Sequence, residues 1–87
     1  MVLVYTTCRD TTEAVKLGNM LVQQHLAACV NIWPMQSMYM EDGALKSQTE
    51  AVLLVKTLEH KLANIEEVLE KNHTYSTPIV AGIDIRR

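Results

Sequence analysis

The chain has 87 residues, 48% of them hydrophobic and 21% charged, which is globular composition and enough for one domain over residues 1–87 but not for two. A formal net charge of -2 and a pI near 5.8, with basic residues scattered except at Arg86 and Arg87, argue against a nucleic-acid partner, which wants a basic face. The longest apolar run, Ala51 to Val55, is far short of a membrane span, and no basic leader or cleavage site is visible around Val2-Leu3-Val4, so a cytoplasmic protein with reduced Cys8 and Cys29 is expected.

Val2 to Thr7 is rich in β-branched and aromatic residues and reads as a first strand. Asp10 with Glu13 three residues later has capping-box spacing, which makes Asp10 the N-cap of a first helix. Ala14, Leu17, Gly18 and Leu21, widened by Val15, Val22 and Leu26, carry that helix to about Leu26. Ala27 to Met40 reads as a long second strand, in which Pro34 demands an edge position or a bulge. Glu41-Asp42-Gly43 supplies an Asp-Gly hairpin turn into a third strand from about Ala44 to Lys56. Thr57 is placed to cap a second helix, whose apolar stripe is Leu58, Leu62, Ile65 and Leu69. Asn72 to Thr77 reads as a loop, and Pro78 opens a last strand with Ile79, Ala81, Ile83 and Ile85 on one face.

The order βαββαβ predicts an α+β ferredoxin-like sandwich, an antiparallel sheet with both helices on one face. Because the third strand is apolar on both faces, the helix-free face requires a partner, and a homo-oligomer is expected.

In this topology the end of the first strand and the end of the second helix meet, which places Cys8, His73 and Tyr75 at one end of the sheet. Cys29 and Lys56 fall at the other end, roughly 20 Å away, so the two cysteines cannot share an ion within one subunit. Cys8 with His73 is the best soft-ligand pair of one subunit, since thiolate and imidazole suit copper or zinc. A loop cysteine and a surface histidine are the competing reading, because two ligands fall short of a structural zinc site's four. Cys29, after Ala27-Ala28, is readable as a small packed hydrophobe or as an interface residue. His25 and His60 read as surface histidines, and Met35, Met38 and Met40 as packing or interface residues before the hairpin. Glu50 and Lys56 share a strand face but stand too far apart to pair. No Ser-His-Asp arrangement, no Gly-rich phosphate loop and no C-x-x-C chelate is present, so no enzyme activity is expected.

The stretch Leu26-Ala27-Ala28-Cys29-Val30-Asn31 resembles the L-A-A-C-V-N motif of the CutA divalent-cation tolerance family. Thr7-Cys8 is similar to that family's first loop, and Tyr39 with Gly43 matches two positions of its Y-x-W-x-G hairpin motif. Glu50, Leu53, Leu54, Lys56 and Thr57 match its E-x-x-L-L-x-K-T strand, and His73, Tyr75 and Pro78 its H-x-Y-x-x-P loop. The resemblance implies a PII-like homotrimer, an involvement in the response to copper or other divalent metal ions, and no established catalytic reaction. It also implies a pocket between neighbouring subunits containing Cys29, Tyr39, Glu50, Lys56, His73 and Tyr75. With Cys8 added from the topology, the expected metal ligands are Cys8, Cys29 and His73. A PII-like regulator that captures a small anion or a partner protein without metal is the alternative. Glu41 replaces the motif tryptophan, Ala44 replaces the lysine after the hairpin glycine, and Ser76 stands where an acidic residue is usual. The chain also stops at Arg87, before the aromatic-bearing tail of family members; a weaker trimer and a shortened sequence both fit that difference.

Overall fold

The computed structural model describes residues 1–74 and 80–84. Strand β1 (Val2–Cys8), helix α1 (Thr11–Gln23), strands β2 (Cys29–Glu41) and β3 (Ala44–Thr57), a 3-10 turn (Glu59–Lys61), helix α2 (Leu62–Asn72) and strand β4 (Val80–Asp84) follow in that order. The sheet order is β2-β3-β1-β4, and every neighbouring pair is antiparallel. This is the ferredoxin-like sandwich that the element order predicts.

Alternation along the strands divides the sheet into two faces. Val4, Cys8, Ala51, Leu53 and Val55 face the helices and form one core with Ala14, Leu17, Leu21, Ile65 and Leu69. The opposite set, including Tyr5, Trp33, Met35, Val52 and Leu54, has no helix over it among the described residues. Val52 is nonetheless buried, between its cross-strand neighbours Trp33 and Thr7, whereas Trp33 and Ile83 remain 41% and 46% exposed. Tyr5 reaches across to Met35, its hydroxyl 3.9 Å from the thioether sulfur.

The hairpin turns on Asp42 (φ 52) and Gly43 (φ 75), with Glu41 paired to Ala44, as a two-residue type I′ loop requires. β3 pairs with β1 only over Ala51–Thr57, so β2 and β3 continue beyond the sheet as a two-stranded arm. The register runs unbroken through Pro34 opposite Ala51; the edge position of β2, and not a bulge, accommodates the missing N–H.

Five local expectations are corrected. α1 ends at Gln23 and not at Leu26, because the chain closes a Schellman motif there. Leu26 N–H donates to Leu21 O and His25 N–H to Val22 O, with His25 in the left-handed region at φ 58. β2 accordingly starts at Cys29 and not at Ala27. Thr57 does not cap a helix: it is the last residue of β3, and its hydroxyl donates to Leu26 O at 2.6 Å. Leu58 is therefore half-exposed outside α2, and Asn72 closes that helix instead of opening a loop. Pro78, Ile79 and Ile85 lie outside the described residues.

Candidate metal centre

Residues from three elements converge at the end of the sheet where β1 finishes. Cys8 is the last residue of β1 and is fully buried. Two residues on, Asp10 caps α1 by accepting a hydrogen bond from Glu13 N–H at 2.9 Å. This cap turns the first helical turn back over the strand end and carries Glu13 beside Cys8. His73 follows the last turn of α2, where its N–H still donates to Leu69 O.

Glu13 is the organising group. Its Oε1 accepts from Arg9 N–H and its Oε2 from Thr74 N–H, both at 2.9 Å. One carboxylate therefore joins the turn before α1 to the segment after α2. His73 Nε2 lies 2.6 Å from Thr7 O and Nδ1 lies 4.0 Å from Glu13 Oε1, with the imidazole side chain fully buried. A carbonyl only accepts, so Nε2 carries the proton and donates to it. This disposes of the surface-histidine reading of His73.

Ligand atoms of Cys8, Glu13 and His73 all lie within 4.8 Å of one another. Ligands around a tetrahedral zinc stand about 3.3–3.6 Å apart, so a small inward rotation of side chains would close the set. Burial alone would push the Glu13 carboxyl up, but the hydrogen bonds from Thr74 and Arg9, with His73 nearby, outweigh it and hold the group below its ordinary value. Glu13 is therefore an anion at neutral pH. The Cys8 thiol is pushed up to about 12, first by burial and then by the carboxylates of Glu13, Asp10 and Glu50. A cation entering this cluster would displace the thiol proton and find a sulfur, a nitrogen and an oxygen donor, a set that fits copper(II) or zinc better than magnesium or calcium.

The other expected site residues stand outside this cluster, although Glu50 is near enough to act on the Cys8 thiol. Cys29 opens β2 opposite Lys56, five residue steps along β3 from Ala51, the partner of Cys8, or about 17 Å. Lys56 is paired with Leu3 on its other side. Glu50 faces Met35 at the base of the arm, and Tyr39 lies out on the arm, its hydroxyl donating to Gln48 Oε1 at 3.2 Å. Tyr75 lies outside the described residues. Glu13 is the site residue that sequence reasoning missed, because its spacing from Asp10 was fully accounted for as a helix cap. The signal was available: the topology that joins Cys8 to His73 also brings the first turn of α1 to the same end.

Among the described residues, no helix is long and apolar enough to cross a membrane. The protein-family model described as CutA1 divalent ion tolerance protein matches residues 2–87. A divalent-cation tolerance protein CutA from Archaeoglobus fulgidus is 34% identical over 84 residues, covering 97% of this chain and 82% of the relative. A chloroplastic CutA protein from Arabidopsis thaliana is 38% identical over 85 residues, and there the match covers 97% of this chain and 47% of the relative. Among solved structures, the fold superposes on a periplasmic divalent cation tolerance protein CutA from Archaeoglobus fulgidus with a TM-score of 0.90 at 34% identity, covering 100% of this chain and 86% of that one. A PII-like protein CutA from Nostoc sp. PCC 7120 gives a TM-score of 0.86 at 25% identity, covering 98% and 81%. With the fold shared over its length and relatives above 30% identity among archaea and plants, the chain belongs to the CutA1 divalent ion tolerance family.

Proposed function

We propose that this chain is a homotrimeric metal-tolerance protein that binds copper or a related divalent ion, with Cys8, Glu13 and His73 as the ligands within each subunit. The observation that carries this reading is the convergence of a thiol, a carboxylate and an imidazole within 4.8 Å, buried at the junction of β1, α1 and α2. Three protein donors leave a coordination position open, which suits reversible ion capture better than a closed structural site. Cys29 is not among these ligands; this reading places it at a subunit boundary, together with Tyr39, Glu50, Lys56 and Tyr75. Both cysteines are free thiols, in keeping with a cytoplasmic setting. No catalytic step is part of the proposal.

The test is a titration of the reduced protein with Cu(II), Cu(I) and Zn(II) against a competing chelator. One ion per chain is expected, with a thiolate-to-copper charge-transfer band for Cu(II). Cys8→Ser and His73→Gln should each weaken binding at least tenfold and remove or shift that band, whereas Cys29→Ser should leave both in place. Unchanged affinity in Cys8→Ser and His73→Gln, or a loss confined to Cys29→Ser, overturns the ligand assignment. The arm formed by β2 and β3, and the similarity to a PII-like CutA protein, favour a second reading as a regulator that captures a partner without metal. Stoichiometric partner capture by metal-stripped protein would select it.

A further inference from the structure

The end of the sheet opposite the metal centre holds a cavity of about 470 Å³, within the range of about 300–1,000 Å³ typical of small-molecule sites. It lies between the end of α1, the Ala27–Ala28 connection, the end of β3 and the 3-10 turn. Its walls are mainly apolar and include Val22, Ala27, Ala28 and Leu58. Val22 and Leu58 are exposed there, at 40% and 51%. His25, Lys56 and Lys61 also line it, and among the described lining residues there is no acid, although the chain has ten Asp and Glu against eight Lys and Arg.

Lys61 is fixed in this wall. Its ammonium donates to His25 O at 2.8 Å and so meets the negative end of α1. An ammonium has three donors, and this bond uses one of them. The floor is set independently: Ala28 N–H donates to Lys56 O, and the Thr57 hydroxyl to Leu26 O. A concave apolar wall with cations and no acid matches a guest that has an anionic head and an apolar body. A metal cation finds no ligand cluster here, because the described lining residues offer one imidazole and no thiol or carboxylate.

We infer that this cavity is a binding site for a small amphipathic carboxylate, whose head is held by Lys61 and whose short apolar body lies on Val22, Ala27, Ala28 and Leu58. The site does not depend on the metal reading, and its guest binds with the metal centre stripped by chelator.

The experiment is an NMR titration of ¹⁵N-labelled, metal-stripped protein with octanoate, and with octylammonium as the same tail bearing the opposite charge. Saturable shifts confined to the amides of Ala27, Ala28, Leu58 and Lys61 are expected with octanoate, and at least tenfold weaker binding with octylammonium. Lys61→Met should weaken octanoate at least fivefold while Lys61→Arg retains it, and Ala28→Leu should abolish binding by filling the floor. The fingerprint spectrum of each variant reports that it remains folded. Equal binding of the two amphiphiles, shifts centred on Tyr5 and Val52 instead, or an unchanged affinity in folded Lys61→Met would each overturn the assignment.

Discussion

His25 occupies a backbone position that histidine fills at a cost. It stands at the C′ site of α1 with φ 58, where glycine avoids the crowding between Cβ and the backbone. Replacement by glycine relieves that crowding but loosens the unfolded chain, so the gain is a fraction of the full penalty of about 1–2 kcal/mol. His25→Gly is expected to stabilise the protein by about 0.5–1 kcal/mol in urea unfolding, and His25→Val to destabilise it. A glycine at this place would have announced the helix end. Its absence is why the periodicity runs on to Leu26, three residues past the observed end. The same blindness hid Glu13, whose bonds to Arg9 and Thr74 span 4 and 61 residues; only the first is within reach of local spacing.

At the scale of the element, α1 is defined by its start and by its closest approach to the sheet. The Asp10 carboxyl is held below its ordinary value of 3.8, chiefly by the hydrogen bond from Glu13 N–H, with Arg9 also helping. A depressed folded value means that this group's contribution is complete above its unfolded pKa and is lost as pH falls through the lower folded value. Glu13 acts with the same sign. The stability of the native protein should therefore fall as pH drops through and below the ordinary carboxyl values of 4.5 and 3.8, as read by urea midpoints. Asp10→Asn, which keeps an acceptor for the Glu13 N–H without a titrating charge, should flatten part of that fall. An equally steep fall in the variant would remove Asp10 from the account.

Farther along the same helix, a Cβ placed on Gly18 would lie 2.9 Å from Val30 Cγ2 and 3.4 Å from Leu53 Cδ1. Alanine would gain about 1 kcal/mol in helix propensity. It would also overpack a junction whose nearest atom belongs to a stiff β-branched side chain, at about 1–3 kcal/mol. Gly18→Ala is expected to destabilise by about 1 kcal/mol on balance, and pairing it with Val30→Ala should recover part of the loss. The elements themselves were legible from periodicity and from the Asp-Gly turn. The start of α2 was not, because Thr57 spends its hydroxyl on Leu26 O, 31 residues away, and the 3-10 turn Glu59–Lys61 intervenes.

For the whole molecule, two helices over one face of a four-stranded sheet leave the other face open, and that much follows from element order. The apolar character of this face was legible in the central run of β3, and the structure sets Tyr5, Trp33, Val52 and Leu54 side by side on it. The number of subunits was not legible in the residues' own pattern; three comes from the family resemblance. The trimer is therefore tested directly, by light scattering on the purified chain, with a mass of three subunits expected. Trp33 is the informative position, because it sits on the open face at 41% exposure and contributes to the burial of Val52. Trp33→Lys places a charge where a second copy must pack, and a buried unpaired charge costs several kcal/mol. It should shift the mass toward one subunit, lower the unfolding midpoint and weaken the dependence of that midpoint on concentration that a trimer shows. Val15→Lys, at a site 56% exposed on α1 and away from that face, should leave the mass unchanged. If Trp33→Lys keeps three subunits at the same midpoint, the sheet face is not where the subunits meet. The exposed arm, with Met38 and Met40 at 64% and 66%, then becomes the surface that joins them.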